Sequence, residues 1–404
     1  MTEEERFPEF KELWNTLFKG VWPMWVAGLL LGFLNVCLFL VKSPWGGTGS
    51  YVSWGQNIYQ TLGLLETPGL KSVLENRYGL LGLMTVLGAT CAALMGRQFC
   101  LRIATIGELF KGLLGGILMG IGATIGLGCT IGGFLTGWSA LSSGAIFLTV
   151  GLMIGTIIGF RYLLWEMDHL PFMRKGKRFE FLKVRNRKSP LQPILGMILF
   201  IGLLVAALVY YASLPILTWF AVCGLLIGVI CQRSKFCVVR AFREPFLTGI
   251  SEAPIGIFVA LMVGIFGFTL IKYMGIGTNS PEEARVLALT GVHANFWLRG
   301  LIGGLIFGLG MVIAGGCAVG AMWRAGEGHM QLWFAMLGLM LAAPLSKKFL
   351  VPKVTAVIPE WGKLKIFLPD WVGYGGAVFI FLLIILVWYL FVMWNERTDK
   401  FTCM

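Results

Sequence analysis

The chain has 404 residues, 57% of them hydrophobic and only 13% charged, with a mean hydropathy of +0.80 and a formal net charge of +13. Soluble domains carry about 25% charged residues, so the composition excludes a soluble enzyme, a nucleic-acid binder and a disordered regulator. The positive excess lies mainly in loops between apolar runs, the pattern of cytoplasmic loops at an anionic leaflet, and the fold class it predicts is an all-α polytopic membrane protein.

Taken in order, residues 1–21 begin acidic (Glu3, Glu4, Glu5) and show no early small-residue cleavage site. Phe7, Phe10, Leu13, Trp14, Leu17 and Phe18 recur at helical spacing, which predicts an amphipathic segment on the cytoplasmic interface. Ten apolar runs follow, at 22–41, 78–95, 112–128, 144–165, 194–211, 214–231, 255–274, 298–315, 332–345 and 372–393. Most approach the ~20 residues that cross a bilayer. Residues 22–165 read as a first transmembrane half, 166–192 as a cytoplasmic linker, 193–345 as a second half, and 346–404 as a loop and a last span. The glycine-rich stretch 46–77, with Tyr51 and Trp54, reads as an outer loop. Residues 166–188 hold eight basic and three acidic side chains, which places them and the N-terminus in the cytoplasm. Residues 347–370 carry five lysines yet fall outside in a ten-span count, so either the count is off by one or a segment is re-entrant.

The most informative feature is a repeat. Residues 111–132 (KGLLGGILMGIGATIGLGCTIG) and 299–320 (RGLIGGLIFGLGMVIAGGCAVG) match at ten of twenty-two positions, seven of them glycines and one the pair Cys129/Cys317. A weaker match relates Gln98-Phe99-Cys100 to Lys235-Phe236-Cys237. The offsets of 188 and 137 differ by an insertion at about 251–296 that holds one apolar run. One extra crossing reverses direction, so the copies are expected to form an inverted pair, as in transporters with broken helices at the midplane. The plainer reading is duplication for close helix packing.

Each copy ends on glycines around a cysteine: Gly128-Cys129-Thr130-Ile131-Gly132, and Gly315-Gly316-Cys317 followed by Gly320. Glycine lets the backbone leave the helix, and irregular backbone at membrane depth survives only where protein or a water path covers it. A half-helix is expected to start after each cysteine, its free N–H groups turned toward the thiol, a setting that suits an anion. Cys237, within a basic stretch that includes Arg233, Lys235, Arg240 and Arg243, reads either as part of a re-entrant element or as a cytoplasmic loop. Three chemistries stay open for such thiols. As neutral donors they suit weak, multi-site passage of an oxyanion. As thiolates they suit a soft metal, or attack on a sulfane sulfur.

Arg324 and Glu327 are spaced to pair on one helical turn, and with Arg240 are candidates for a path mouth. His169 and His329 read as interfacial, His293 falls in the inserted outer loop, Cys91 and Cys100 read as secondary thiol candidates, and Glu108 as facing water. No nucleotide-binding loop is present, so neither ATP coupling nor any cofactor or metal is expected.

Residues 233–343 resemble the YeeE/YedE family of bacterial inner-membrane proteins. The resemblance rests on Lys235-Phe236-Cys237, Ala241-Phe242-Arg243-Glu244, Gly303-Gly304-Leu305-Ile306-Phe307-Gly308, Ala314-Gly315-Gly316-Cys317 and Arg324-Ala325-Gly326-Glu327-Gly328. Gly115-Gly116 through Gly132 resembles the family's other Gly-Cys element, with Leu127 where Gly is frequent. The Phe-Cys half stands second, as in the YedE type, which is linked by name to selenium metabolism; the YeeE type is linked to thiosulfate uptake. The resemblance implies an hourglass-like path lined by three thiols that match Cys129, Cys237 and Cys317, and a TusA-like sulfur carrier as cytoplasmic partner. The expectation is a channel-like importer, not an enzyme, of thiosulfate or a selenium analogue. The alternatives are a membrane thiol enzyme that transfers sulfane sulfur, and a soft-metal permease.

Overall fold

In an apolar medium a backbone must satisfy its own N–H and C=O groups, so long apolar runs coil into helices. The computed structural model describes residues 15–64, 69–126, 128–169, 179–181, 191–278, 280–292, 297–363 and 367–398. Of the expected amphipathic N-terminus residues 15–21 are described, with a π-helical turn at Asn15–Lys19; residues 1–14 and His293 lie outside the described residues. The elements are α1 (Met24–Val41), α2 (Gly47–Thr61), α3 (Arg77–Met95), β1 (Leu101–Ile103) and α4 (Ile106–Ile125). Next come α5 (π-helical over Thr130–Thr136, α-helical over Gly137–Ser139), α6 (Ser143–His169), β2 (Phe179–Phe181), α7 (Leu191–Tyr210) and α8 (Pro215–Ser234). Then follow α9 (Val238–Leu247), α10 (Glu252–Thr278), α11 (Pro281–Leu289), α12 (Trp297–Ala314), α13 (Ala318–Gly326), α14 (Met330–Leu345) and α15 (Leu368–Thr398). β1 and β2 form one short antiparallel ribbon.

Ten helical segments are long and apolar enough to cross a membrane, and the chain is an all-α multi-pass membrane protein. Four of the short helices between spans give the same span, short helix, span order four times: α1-α2-α3, α4-α5-α6, α8-α9-α10 and α12-α13-α14. Glycines set how the spans pack. Gly28 and Gly32 of α1 lie against Gly256 and Ala260 of α10, and Gly224 and Gly228 of α8 against Leu81 and Thr85 of α3. Gly112 and Gly116 of α4 lie against Gln331 and Ala335 of α14, and Gly151 and Gly155 of α6 against Leu301 and Leu305 of α12. Residue numbers rise together in these four pairs, so each is parallel. The α4–α12 pair is antiparallel, since Gly115 meets Gly310 and Ala314 while Gly122 meets Gly303 and Phe307. All five senses agree with ten alternating crossings. The same alternation puts the lysine-bearing segment from Lys347 on the face opposite the end of α6 at His169 and the start of α7 at Leu191, with no change in the span count.

The structure differs from expectation at 46–77, which is not a plain outer loop. Within it α2 buries Tyr51, Trp54, Ser50 and Ser53 against the centre of the molecule. The far end of α5 is tied down by Lys272 of α10, whose buried ammonium donates to the carbonyls of Ala140 (3.2 Å) and Ala288 (2.8 Å). A cation suits the negative end of a helix.

Candidate functional site

The two Gly-Cys elements break their helices where the repeat anticipates. α4 ends at Ile125 and α5 starts at Thr130, with Cys129 between them in extended backbone, its sulfur accepting from the Ile131 N–H at 3.4 Å. α12 ends at Ala314, Gly315 takes φ +81°, and Cys317 precedes α13 with its sulfur accepting from the Gly320 N–H at 3.3 Å. Gly315 is needed at that angle, which a side chain disfavours. Cys237 likewise stands in extended backbone directly before α9. Each of the three cysteines is thus the N-cap of a short helix, with the positive end of that helix's dipole at its thiol.

The fold gathers these three residues. The Cys237 and Cys317 thiols both face Gly320, and the Thr130 hydroxyl adjoins Cys317. A Cβ on Gly320 would lie 3.3 Å from the Cys317 sulfur and 3.8 Å from that of Cys237, so glycine leaves room for both. A Cβ on Gly47, the first residue of α2, would lie 3.2 Å from the Cys129 sulfur and 3.5 Å from Val319 of α13. Tyr51 of α2 closes the group by donating to the Ala318 carbonyl at 2.6 Å. Cys129, Cys317 and Tyr51 are all at most 1% exposed.

Cavities approach this cluster from both sides. One, of about 330 Å³, ends at Cys237 and Gly315 and is lined by Lys111, Lys235, Arg240, Arg243 and Arg324, with Glu108 and Glu166. Lys111 pairs with Glu166, Lys235 with Glu327, and Arg240 with Glu244 at 2.6 Å. Arg324 donates to the Gly315 carbonyl at 2.7 Å, and the buried Arg243 Nε has no hydrogen-bond partner. The other cavity, of about 510 Å³, reaches Gly128 and Gly132 and carries Arg299 and Lys347, with no carboxylate in its lining. Both cavities are therefore net positive, and the buried thiol cluster separates them.

Several expected site residues take other roles. Glu327 pairs with Lys235, not with Arg324, and also accepts from Gln232 at 2.9 Å. Glu108 forms a capping box with Thr105 and lines the 330 Å³ cavity, so it is not merely solvated. Cys91 lies inside α3 and Cys100 just before β1, where its N–H donates to the Glu327 carbonyl at 3.3 Å; neither lines a described cavity. Gly316 donates its N–H to the Met311 carbonyl at 3.0 Å, which holds the turn before Cys317. His329 is half-buried beside Arg324 and Arg102, and loss of solvent first, then those two cations, pushes its pKa down to about 4. Sequence reasoning missed Tyr51, Thr130, Arg299 and Cys231, the last buried within electrostatic reach of Cys237. Among the described residues no group of three His, Cys, Asp or Glu side chains is set to hold a metal ion.

The profile of the family described as "Sulphur transport" matches residues 2–158 and 233–402. The chain is 27% identical over 402 residues to the "Probable transporter YedE" of Escherichia coli, covering 96% of each. Identity to the protein of the same name in Salmonella typhimurium is 27% over 401 residues, covering 96% of this chain and 95% of that one. A shorter match, 36% over 125 residues, links it to the "Thiosulfate transporter TsuA" of Spirochaeta thermophila, covering 31% of this chain and 34% of the relative.

Proposed function

This chain belongs to the sulphur transport family, and on that premise we propose that it imports a small sulfur oxyanion, thiosulfate first or a selenium analogue, in channel-like fashion across the bacterial inner membrane. The observation that carries this reading is the meeting of two cation-lined cavities at one buried cluster of thiols. Cations at each mouth concentrate a dianion. At the centre stand neutral donors and helix N-termini, whose contacts are weak enough to exchange, as conduction requires. In this reading Cys129, Cys237 and Cys317 hand the anion on, while Gly128, Gly132, Gly316 and Gly320 keep the backbone close to it. Arg240, Arg324 and Glu327 shape the inner mouth. The N-terminus is cytoplasmic and the two Gly-Cys units are an inverted pair, a reading supported by the antiparallel α4–α12 packing. A TusA-like carrier would collect the product at the basic inner face.

A second reading is favoured by the placement of the Cys237 and Cys317 thiols together beside Gly320. A Cys237 thiolate attacks the sulfane sulfur of thiosulfate, a new S–S bond forms, the old one breaks, and sulfite leaves with its electron pair. The persulfide then passes to a carrier. Proteoliposomes containing purified protein, supplied with thiosulfate labelled on either sulfur, separate the two readings, with selenite uptake run in parallel. Entry of both labels together, abolished by replacing all three cysteines with alanine, supports passage of the intact anion. Entry of the sulfane label alone refutes it and makes the protein a sulfur-transfer enzyme. Selenium entry without thiosulfate entry would sink the substrate assignment while leaving the path intact.

A further inference from the structure

A third cavity lies away from the thiols, at the membrane boundary where α1 ends and α3 and α8 begin. It measures about 510 Å³ and is ringed by Lys42, Lys71 and Arg77, with Glu75 as its one carboxylate. None of the three cations forms an ion pair among the described residues. Beyond Asn76 and Tyr78 its wall is apolar and faces outward: Leu214, Pro215, Ile216 and Leu217 open α8, and Leu214, Ile216 and, one turn on, Trp219 are exposed. Unpaired cations beside an outward apolar wall, next to a tryptophan at interface depth, match a molecule with an anionic head and hydrocarbon tail.

We infer that this cavity holds an anionic phospholipid, its phosphodiester between Lys42, Lys71 and Arg77 and an acyl chain along Leu214–Leu217. The position has a consequence. Asn76 and Tyr78 line both this cavity and the Arg299–Lys347 cavity. Tyr78 is held by its hydroxyl's bond to Ser43 at 3.1 Å and by Arg77 5.1 Å above its ring. A bound headgroup therefore sits one side chain away from that cavity and steadies its wall.

The test is native mass spectrometry of delipidated, purified full-length protein titrated with phosphatidylglycerol or with phosphatidylcholine of identical chains. It needs no transport assay, so its failure is distinct from failure of the proposed function. Phosphatidylglycerol should be retained preferentially, and Lys42→Gln/Lys71→Gln/Arg77→Gln should weaken its retention on the order of a hundredfold, from roughly fivefold per cation. Lys71→Gln alone, which alters a loop residue, should weaken it about fivefold and serves if the triple variant does not fold. Equal retention of both lipids, or retention unchanged by Lys71→Gln, overturns the inference. Displacement by millimolar inorganic phosphate or glycerol phosphate as readily as by phosphatidylglycerol also overturns it, because the occupant is then a free anion.

Discussion

Each site cysteine is both an N-cap and a thiol, and Cys317 allows the two roles to be separated. Its sulfur accepts one backbone N–H at 3.3 Å in a site only 1% exposed. Replacing it with alanine removes the cap, worth about 1 kcal/mol for an oxygen and toward the low end for the weaker sulfur acceptor. It also removes one buried heavy atom, worth roughly another 0.8 kcal/mol. Cys317→Ala should therefore cost about 1–2 kcal/mol, a measurable drop in the thermal midpoint of purified protein. Cys317→Ser keeps an acceptor at the same place and should recover most of that loss. Uptake behaves differently if the thiol serves passage, because serine should then restore stability without restoring the full rate. Cys223→Ala, in α8 and lining no described cavity, should transport like wild type. A serine variant with the wild-type rate would refute the thiol role and leave Cys317 as a cap. An alanine variant as stable as wild type would refute the capping argument.

Three further outcomes are expected. Gly115→Ala should destabilise the protein by about 1–3 kcal/mol by overpacking, since the new Cβ would lie 2.5 Å from the Ala314 nitrogen; Gly202→Ala, with no atom within 4 Å, should be neutral in the same thermal assay. Glu327→Gln strips Lys235 of its counter-charge and should cost about 1–3 kcal/mol, less than a fully buried pair because the Lys235 side chain is 29% exposed; adding Lys235→Met should recover part of the loss, and purely additive losses would show that the pair is not coupled. His329, with its folded pKa pushed down to about 4, lies below the unfolded value near 6.5. Its neutral form therefore supports full stability above pH ~6.5, and stability falls by up to about 1.4 kcal/mol per unit as the pH drops from there toward 4. His329→Gln should flatten that part of the thermal-midpoint profile, and an unchanged slope would contradict the burial argument.

The spans were legible because hydropathy reports lipid contact directly, and the Gly-Cys breaks because glycine spacing recurs through Gly115, Gly120, Gly122 and Gly132 in one copy and Gly303, Gly308, Gly310 and Gly320 in the other. α2 was not legible. Its sequence GTGSYVSWGQNIYQT is too polar for a span, since it faces protein and a cavity, not lipid. The small Gly47, Ser50, Ser53 and Gly55 that make it look like a loop are what let it pack at the centre. The partner of Glu327 was equally hidden. Helical spacing offers Arg324, but tertiary folding delivers Lys235 from 92 residues away, together with Gln232. Arg299 gave no signal either, as it stands in the repeat as the counterpart of Lys111, yet it points its guanidinium at the Ile125 carbonyl (3.1 Å) and into the opposite cavity.

The four short helices also bear on how the proposed path would open. Alternating crossings bring α2 and α5 in from one face and α9 and α13 from the other, so the N-termini of three of them stand at the thiols and that of α2 packs beside Cys129. Helix N-termini each carry roughly half a positive charge, which gives the centre an anion-favouring field without a buried lysine that would hold the anion too tightly. Opposed helices are joined in two unlike ways. Between α2 and α13 the link is the Tyr51 hydroxyl on the Ala318 carbonyl, and parting it strands two buried polar groups at about 1–3 kcal/mol each. Between α5 and α9 it is aromatic: Phe134 meets Phe242 at 5.4 Å, and Trp388 of α15 stacks on Phe242 at 5.4 Å. Such contacts contribute about 0.5–1.5 kcal/mol apiece and can slide from one geometry to another. On the proposed passage reading, the seam that would yield at least cost is α5 against α9, with Trp388 as the surface over which it would move, while α2 and α13 would stay joined as the fixed wall of the path.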